Sequence, residues 1–455
     1  MAYEPSRYNF FVLYKKDNYL LYNARSNALA LVDQDMKKAF EQNDEEALMS
    51  LPEEYLTVMT QRGFLIDDTI DEIHEIEYRH HHYIVNNFSN VVELALIMTY
   101  GCNLACTYCY EKGINLKKTM SKNMLDRVEK YIKTQAVRNN ARKIVSVSFY
   151  GGEPLFNWKG CKYTMNFLKE CNREYETPYE TRVITNGLLL TDDVLQTFLD
   201  NNIVSMQITL DGAKKDHDKR RKTPRGEGTY DAILDRITTV YEIDQNLPRI
   251  RINIDNTNYH GLPMLFDDLS ERGLCNLSVY FGIVFEFTRG CKTGDSSCFD
   301  LESIEKTLPD LWRLALSKGY VIKTRPSTMY SYCGFDLAHA FVIDPFGDFY
   351  NCWNAIGMKE WCIGSLDSTG KLVSNHNFYD QLSREPTRFE ECSTCTLLPA
   401  CMGGCAFLAN SLHGTIHSAG CGEYKNIIGE RLKWYVEREY AHILEEGEED
   451  EAVQI

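Results

Sequence analysis

Three cysteines lie within eight residues of the stretch TYGCNLACTYCYEK, which covers residues 99–112. Cys102, Cys106 and Cys109 have the spacing C-x3-C-x2-C, and Tyr108 precedes the last of them. A structural zinc site is closed by four ligands, and a disulfide framework belongs to a short secreted chain. Three thiolates with no fourth cysteine nearby suit an iron–sulfur cluster that leaves one iron open. The spacing therefore predicts a cluster with a free ligand position.

A second group of cysteines lies toward the C-terminal end of the sequence. Its densest part is CSTCTLLPACMGGC, with the spacing C-x2-C-x5-C-x3-C. The full group is Cys333, Cys352, Cys392, Cys395, Cys401, Cys405 and Cys421. A zinc knuckle is the alternative for a single C-x2-C pair. The size of the group favours further iron–sulfur sites.

Strand and helix patterns alternate over residues 91–310. VVELALIM, KIVSVSFY, TRVITNG, VSMQITLDG and RIRINID each predict a buried strand, and KNMLDRVEKYIKTQ and DDVLQTFLDNN predict intervening helices. This alternation is typical of a parallel α/β sheet or barrel, whose functional residues follow the carboxyl ends of the strands. The cysteine triplet, YGGEP (150–154), TNG (185–187) and LDG (210–212) all follow such ends. We expect them to converge at one mouth of the fold.

Residues 1–90 have a different pattern. YNFFVLY and NYLLYN predict a hairpin around Lys16 and Asp17. DQDMKKAFEQ and LPEEYLTVMTQRGFLID predict helices, the second with a stop signal at Gly63. Small strands followed by about three helices indicate a winged-helix-like module. The tract His80–His82 is predicted to be a polar linker, because three adjacent side chains cannot all face one ion.

Length and charge limit the class of protein. A chain of 455 residues predicts two or three domains. The net charge of −16 argues against a nucleic-acid enzyme, which needs a basic face. EEGEEDEA at 445–452 predicts a solvated tail over residues 441–455. The sequence shows neither a signal-peptide pattern nor a membrane-length apolar run, so we expect a cytoplasmic protein with no membrane contact.

The cysteine triplet with Tyr108, followed by GGEP, resembles the radical S-adenosylmethionine (SAM) superfamily. The resemblance implies a [4Fe–4S] cluster on the three cysteines and SAM on the open iron. It also implies reductive cleavage of SAM to a 5′-deoxyadenosyl radical, which abstracts hydrogen from an unactivated C–H bond. The task of the protein is then to place that radical and exclude side reactions.

The resemblance also implies a set of SAM-binding residues: Tyr108, Gly151, Gly152, Glu153, Asn186, Thr209, Asp211 and Arg221. The GGE segment would meet the SAM amino group, since glycine permits close approach and a carboxylate suits an ammonium. Asn186, Thr209 and Asp211 end strands and would contact the ribose and methionyl parts. The stretch DHDKRR…GEGTYDAI suggests Arg221 as the carboxylate partner, with neighbouring Arg220 as the alternative.

The seven C-terminal cysteines resemble the SPASM extension, which carries two auxiliary [4Fe–4S] clusters. The family pattern implies a distal cluster on Cys392, Cys395, Cys401 and Cys421. It implies a proximal cluster on Cys333, Cys352 and Cys405. Gly347, in DPFGDFYNC, is predicted to form the hairpin turn between two strands of this region.

The proximal set leaves one iron without a thiolate. Either that iron is open to the substrate, or Cys291 or Cys298 in the loop RGCKTGDSSCFD closes the site. An open iron would bind a substrate thiolate, as metals lower the pKa of bound thiols.

Taken together, the resemblance implies an α/β fold. A partial (β/α)6 TIM-like barrel would cover residues 91–310, after a winged-helix-like leader-peptide recognition module at 1–90. A SPASM iron–sulfur domain would cover 311–440. The implied cofactors are three [4Fe–4S] clusters and SAM. The implied partners are a precursor peptide with a leader and an electron donor such as flavodoxin or ferredoxin.

The expected reaction is a thioether, or alternatively a carbon–carbon, crosslink in a ribosomally made peptide. Sulfatase-maturating relatives place an aspartate base beside a proximal-cluster cysteine, whereas Trp353 follows Cys352 here. The alternatives are a formylglycine-forming maturase and, from another class, a non-catalytic iron–sulfur carrier or scaffold.

Overall fold

The computed structural model describes residues 3–109, 111, 118–136, 143–286, 291, 298–322, 325–422 and 424–440. The acidic tail predicted at 441–455 lies outside the described residues. The strands are β1 (Tyr3–Pro5), β2 (Asn9–Lys15), β3 (Asn18–Asn23), β4 (Ala28–Val32), β5 (Leu65–Asp67), β6 (Val91–Thr99), β7 (Ile144–Gly151), β8 (Tyr179–Thr185), β9 (Ile203–Thr209), β10 (Pro248–Ile254), β11 (Ser278–Ile283), β12 (Ala340–Ile343), β13 (Asp348–Tyr350), β14 (Gly364–Leu366) and β15 (Leu372–Ser374).

The helices lie between these strands and after them. They are α1 (Gln34–Gln42), α2 (Glu45–Met49), α3 (Glu53–Gln61), α4 (Glu72–Asn90), α5 (Lys122–Ala136), α6 (Trp158–Tyr175), α7 (Asp192–Leu199), α8 (Lys214–Arg220), α9 (Tyr230–Ile243), α10 (Leu262–Glu271), α11 (Leu301–Ser317), α12 (His376–Leu382), α13 (Glu390–Ser393), α14 (Leu398–Cys401), α15 (Ala406–His413) and α16 (Tyr424–Glu439). Among the described residues, no helix combines the length and the apolar character needed to cross a membrane.

The chain forms two compact units. The first comprises the described residues of Met1–Ile84, Lys323–Cys333 and Arg384–Ile455. Its N-terminal part is a three-stranded antiparallel sheet in the order β2-β3-β4, followed by α1 to α3, and β1 pairs with β5. Asp33 caps α1 by accepting a hydrogen bond from the backbone N–H of Met36 at 2.7 Å. Gly63 follows α3 with a φ of +77°, as its predicted role as a stop signal requires, and the winged-helix-like module stays a prediction.

The hydrophobic core of the first unit is shared by distant parts of the sequence. Leu20 and Tyr22 of β3 are fully buried in the same cluster as Leu398 of α14 and Ile428 and Leu432 of α16. The small N-terminal sheet therefore has its apolar face covered by the C-terminal cysteine region. This grouping differs from the separate domains predicted at 1–90 and 311–440, because an isolated three-stranded sheet buries too little surface.

The second unit comprises Val85–Ile322 and Gly334–Ser383 and is built on a ten-stranded sheet. Strands β6 to β11 are all parallel and lie in sequential order. This arrangement confirms the predicted partial barrel. Helices α5 to α10 separate the strands along the chain.

Strands β12 to β15 extend the same sheet beyond β6. β12 pairs parallel to β6, and β13 to β15 continue as antiparallel strands. Gly347, with a φ of +86°, makes the turn between β12 and β13, as predicted. Residues 340–374 were predicted to belong with the C-terminal iron–sulfur domain, but their backbone pairing places them in the barrel sheet.

The histidine tract lies in the helix α4, so the prediction of a linker is wrong. His80 is buried, and its Nδ1 bonds to the carbonyl oxygen of Tyr330. His81 Nε2 lies 2.7 Å from a carboxylate oxygen of Glu385. The successive side chains point to different partners, as helical geometry requires.

Candidate functional site

A cavity of about 580 Å³ lies at the carboxyl ends of the parallel strands in the second unit. Cys102, Cys106 and Cys109 line it. The predicted residues Tyr108, Gly151, Gly152, Asn186, Thr209 and Arg221 line it as well. The four motifs that follow β6 to β9 therefore converge, and the volume is in the range of small-molecule sites.

The double glycine after β7 packs directly against the loop that carries the cysteines. Gly151 has a φ of +126°, and a Cβ on it would lie 2.3 Å from the carbonyl oxygen of Thr99. A Cβ on Gly152 would lie 2.6 Å from the carbonyl oxygen of Gly101. The Gly152 and Glu153 amides donate to these same two carbonyls at 3.0 Å. Only glycine permits this approach, which fixes the start of the cysteine loop.

Glu153 lies beneath the cavity rather than on its surface. Its side chain is 0% exposed. One carboxylate oxygen accepts from Leu155 N and Thr185 Oγ1, and the other accepts from Asn186 N at 2.8 Å. Burial raises the pKa of Glu153. The carboxylate is therefore bound by the protein's own donors and positions the end of β8.

Asn186 connects that strand end to the cysteine loop. Its Nδ2 donates to Asn103 Oδ1 at 2.8 Å and lies 3.8 Å from the sulfur of Cys102. Since Glu153 holds its backbone, Asn186 has a fixed orientation at the cavity wall.

Tyr108 is the centre of a buried polar network. Its hydroxyl donates to Asp211 and accepts from Arg221 Nη1 at 2.7 Å and from Asn253 Nδ2 at 3.1 Å. The second oxygen of Asp211 accepts from Asn253 N at 2.8 Å. Asp211 is fully buried and is not part of the cavity lining. Both oxygens of Asp211 accept hydrogen bonds within the protein, and its predicted contact with SAM stays a prediction. Thr209 does line the cavity.

The two neighbouring arginines have different environments. Arg220 pairs with Asp255 at 2.5 Å and its guanidinium lies 4.7 Å from the Tyr108 ring centroid. Arg221 lines the cavity and lies 3.8 Å from Asp211. Of the two arginines, Arg221 is the one among the residues that line the cavity, so it remains the predicted partner of the SAM carboxylate.

The base of this network is held by a neutral histidine. Burial lowers the pKa of His217 to about 3. Its Nδ1 accepts from Asp211 N at 3.2 Å, and its Nε2 donates to Thr229 Oγ1 at 3.0 Å. Thr229 Oγ1 in turn donates to the carbonyl of Arg221 at 2.8 Å. The family-like stretch at 217–230 is thus a scaffold for Arg221.

The donor set of the cysteine loop fits a cationic cluster. Burial raises the pKa of the Cys102 thiol to about 12, so its thiolate requires a compensating positive charge. Iron supplies such a charge and deprotonates the thiols it binds. The loop is held by hydrogen bonds from Ala105 N to Lys222 O at 2.8 Å and from Thr107 N to Arg220 O at 3.0 Å.

Comparison with known proteins agrees with this geometry. Residues 96–267 match the family described as the Radical SAM superfamily. These residues are a radical SAM domain. This family membership implies one [4Fe–4S] cluster and SAM, for which the three cysteines and the cavity described above are suited.

Named relatives of this chain include a cyclopropyl synthase and sulfatase-maturating enzymes. It is 23% identical over 404 residues to the radical SAM cyclopropyl synthase TigE of Paramaledivibacter caminithermalis, covering 81% of this chain and 80% of TigE. It is 25% identical to a cysteine-type anaerobic sulfatase-maturating enzyme of Clostridium novyi, covering 73% of this chain and 92% of the relative. The crystal structure of Streptococcus suis SuiB bound to precursor peptide SuiA has the same fold. Its TM-score is 0.52 at 16% identity, covering 92% of this chain and 99% of SuiB.

The C-terminal cysteines of the chain form a group in the first unit. The pKa of the Cys392 thiol is raised to about 12 by burial and by the charges of Cys421 and Cys395. The pKa of Cys401 is raised to about 12 by burial and by the charges of the other three. These four thiols therefore lie close to one another, as a shared cluster requires.

Glycines and one arginine shape the loop around these thiols. A Cβ on Gly404 would lie 2.2 Å from the carbonyl oxygen of Gly420, and Cys405 N donates to that oxygen at 3.1 Å. Buried Arg384 donates to the carbonyls of Gly403 and Gly404 at 3.0 and 3.2 Å.

The remaining cysteines have other positions. Cys333 and Cys405 belong to the first unit and Cys352 to the second, so the proximal set remains a prediction. Cys291 and Cys298 form a disulfide with each other. Neither sulfur is available as a fourth ligand while that bond exists.

Two asparagines of the site were missed by sequence reasoning. Asn103 lies inside the cysteine motif, and Asn253 ends β10. The rule that functional residues lie at the carboxyl ends of parallel strands would have found Asn253, since it is the penultimate residue of β10.

Proposed function

We propose that the protein is a peptide maturase that forms a thioether, or a carbon–carbon, crosslink in a ribosomally made precursor. The observation that carries this proposal is a groove in the first unit, beside the edge strand β2. The groove has a volume of about 600 Å³ and is lined by Arg7, Phe10 and Phe11 of the strand segment and by Lys37 and Phe40 of α1. Among the described residues, β2 pairs with β3 alone, so its other edge can accept a peptide strand.

The peptide substrate is supported by the named relatives. SuiB was solved with a precursor peptide, and the relatives of similar sequence include mycofactocin and sulfatase maturases. The chain spans four fifths or more of TigE and of the Clostridium novyi enzyme.

The cavity wall favours crosslinking over formylglycine formation. Trp353 follows Cys352, lines the cavity and packs edge-to-face on Tyr150, with ring centroids 4.8 Å apart. An indole cannot act as the base that a carboxylate supplies in the sulfatase-type reaction. The Clostridium novyi relative keeps formylglycine formation as the second candidate.

The residues of the site have distinct tasks in either reaction. When bound, the clusters and SAM would supply the 5′-deoxyadenosyl radical and an acceptor for the surplus electron. Arg221 would bind the methionyl carboxylate, while Tyr108 and Asp211 hold its guanidinium in place. Asn186 and the Gly151–Gly152 backbone would orient SAM at the cysteine loop. The aromatic wall at Tyr150 and Trp353 would exclude water from the reacting carbon.

Co-expression with short Cys-containing precursors encoded beside the gene tests the reaction. Either crosslink predicts a peptide that has lost two hydrogens and does not react with a hydrazide probe. A thioether consumes the cysteine thiol, whereas a carbon–carbon crosslink leaves it free. A hydrazide-reactive aldehyde would assign formylglycine formation instead. Replacing Cys102, Cys106 and Cys109 with Ala should abolish modification, whereas Cys275→Ala, an exposed thiol outside the site, serves as the matched control.

Leader recognition is tested separately by binding. Lys37 lines the groove and lies over the rings of Phe11 and Tyr19, whereas the adjacent Lys38 is exposed and outside it. Lys37→Glu should weaken binding of the fluorescently labelled leader about tenfold, with little change for Lys38→Glu. Equal affinities for the two variants would remove the groove as the recognition element.

A further inference from the structure

A second guanidinium lines the cavity and is linked to the network around Tyr108 through Asn253. Arg251 lies on β10, directly across from Thr209 of β9 and Tyr280 of β11 in the strand register. The three side chains therefore share one face of the sheet at one height. Tyr280 is 58% exposed, which is unusual for a tyrosine on a barrel strand.

The local structure fixes the orientation of this guanidinium. Arg251 Nε donates to Asn253 Oδ1 at 2.8 Å, and the guanidinium carbon lies 5.3 Å from the Tyr280 ring centroid. Gly282 makes the necessary space, since a Cβ there would lie 2.5 Å from Arg251 Nη2. Tyr280, Asn253 and Gly282 thus form a binding pocket, here called the cradle, that holds the planar guanidinium of Arg251.

The Arg251 guanidinium forms no ion pair within the part of the chain that the structure describes. Among the described residues, no carboxylate lies within ion-pair distance of Arg251, whereas Arg220 and Arg221 have Asp255 and Asp211. A half-buried guanidinium whose Nη atoms meet no carboxylate of the described residues is complementary to a carboxylate from a ligand.

We propose that Arg251, cradled by Tyr280, Asn253 and Gly282, is a specificity site that binds a carboxylate of the substrate peptide, an Asp or Glu side chain near the modified residue. This inference rests on the proposed peptide substrate. Arg221 is adjacent to Tyr108 and to the charge of Cys106, and so serves the SAM carboxylate. Arg251 is farther from Tyr108, to which it is connected through hydrogen bonds by way of Asn253. It lines the cavity together with the exposed ring of Tyr280 and the apolar side chains of Ile283 and Val284.

The test is affinity selection with the full-length, cluster-loaded protein. The probe is a library of C-amidated, Cys-containing hexapeptides in matched pairs that differ by Glu or Gln at one position. The wild-type protein should enrich the Glu members about tenfold. Arg251→Gln should remove this preference, and Arg251→Glu should transfer it to Lys-containing members.

Two further variants separate specific binding from general charge or folding effects. Gly282→Ala keeps the charge but displaces the guanidinium, so it should also lose the Glu preference. Arg249→Gln removes an exposed arginine two residues earlier on β10, outside the cavity lining, and should keep it. Thermal unfolding of each variant shows whether the fold is retained.

Each contrary outcome is distinguishable. Peptide capture without any Glu preference overturns the carboxylate site and leaves the proposed function standing. Equilibrium dialysis with SAM covers the other source of a carboxylate: a tenfold loss of SAM affinity in Arg251→Gln, with the Glu preference kept, assigns the guanidinium to the methionyl group and overturns the proposal. No capture of any hexapeptide, while SAM is still bound, overturns this site, whereas the proposed function is overturned only by failure of the leader-binding and co-expression experiments.

Discussion

At the residue scale, the SAM site depends on side chains that bind one another before they bind a ligand. Tyr108 shows this most clearly, since its hydroxyl contacts Asp211, Arg221 and Asn253. Such a buried network is favourable only when every member is satisfied. Loss of one hydroxyl should therefore disturb the orientation of Arg221.

Tyr108→Phe tests this coupling. Removing one hydrogen-bonded hydroxyl near a charged group costs about 1.5–3 kcal/mol, so SAM affinity should fall by about tenfold or more, measured by equilibrium dialysis. Tyr163→Phe is the control, because it likewise removes a hydroxyl that is hydrogen-bonded to carboxylates. Tyr163 lies on α6, its partners Asp126 and Glu129 lie on α5, and none of the three lines the cavity. Equal SAM affinities in the two variants would contradict a positioning role for Tyr108.

At the element scale, the stability of the fold depends on the close approach of the end of β7 to the cysteine loop. Gly151→Ala would place a methyl group 2.3 Å from Thr99 O at a φ of +126°. The backbone must shift, so we expect a loss of more than about 2 kcal/mol in the free energy of unfolding, measured by urea titration. Gly226→Ala is the matched control, since it has a φ of +88° but nothing within 4 Å of the added methyl. A similar loss in both would attribute the effect to φ alone.

The hairpin turn between β12 and β13 has a pH-dependent stability. Asp344 accepts from Phe346 N at 2.8 Å and from Tyr100 Oη at 2.9 Å, and burial raises its pKa from 3.8 to about 6. Folding thus favours the protonated carboxyl, and this contribution is complete below about pH 4 and is lost as the pH rises through about 6. Relative to Asp344→Asn, the wild-type protein should lose about 3 kcal/mol between these limits, measured by chemical unfolding.

The turn between β14 and β15 serves as a control, because the stability it contributes changes with pH in the opposite direction. The Asp367 carboxylate accepts from Thr369 and Lys371, and these hydrogen bonds hold its pKa below 3.8. Its contribution is present above the ordinary pKa and is lost as the pH falls. Parallel pH profiles for wild type and Asp344→Asn would contradict the assignment of the effect to Asp344.

At the scale of the whole molecule, the first unit joins the two ends of the sequence in one core. Leu20 of β3 and Leu432 of α16 are fully buried in that core. Each Leu→Ala change should cost about 3 kcal/mol in the free energy of unfolding. The double variant should deviate from additivity by about 1 kcal/mol, because the two residues share one cluster.

A second double-mutant cycle, between residues of different units, provides the comparison. Leu269 of α10 is equally buried but belongs to the second unit. Leu20→Ala combined with Leu269→Ala should be additive within about 0.5 kcal/mol. Additivity in both cycles would argue against a common core for β3 and α16. It would also restore the N-terminal module as an independent domain.

The sequence by itself determined the elements and the chemistry. The strands β6 to β10 and their helices follow from apolar periodicity, which depends on local geometry. Asp33, Gly63 and Gly347 mark local boundaries, because capping and positive φ are properties of a few adjacent residues. The cysteine spacing identified the radical SAM domain for the same reason, since ligands on one loop are placed by short stretches of chain.

Only the tertiary structure decided how these parts are used. Glu153 and Asp211 look like ligand-binding carboxylates in the sequence, but folding buries both among the protein's own donors. Arg220 and Arg221 are indistinguishable as neighbours until Asp255, 35 residues later than Arg220, neutralises the first. The union of the N-terminal sheet with the C-terminal helices depends on which apolar faces meet. Burial, ion pairing and core membership are set by residues far apart in the chain, and no local pattern records them.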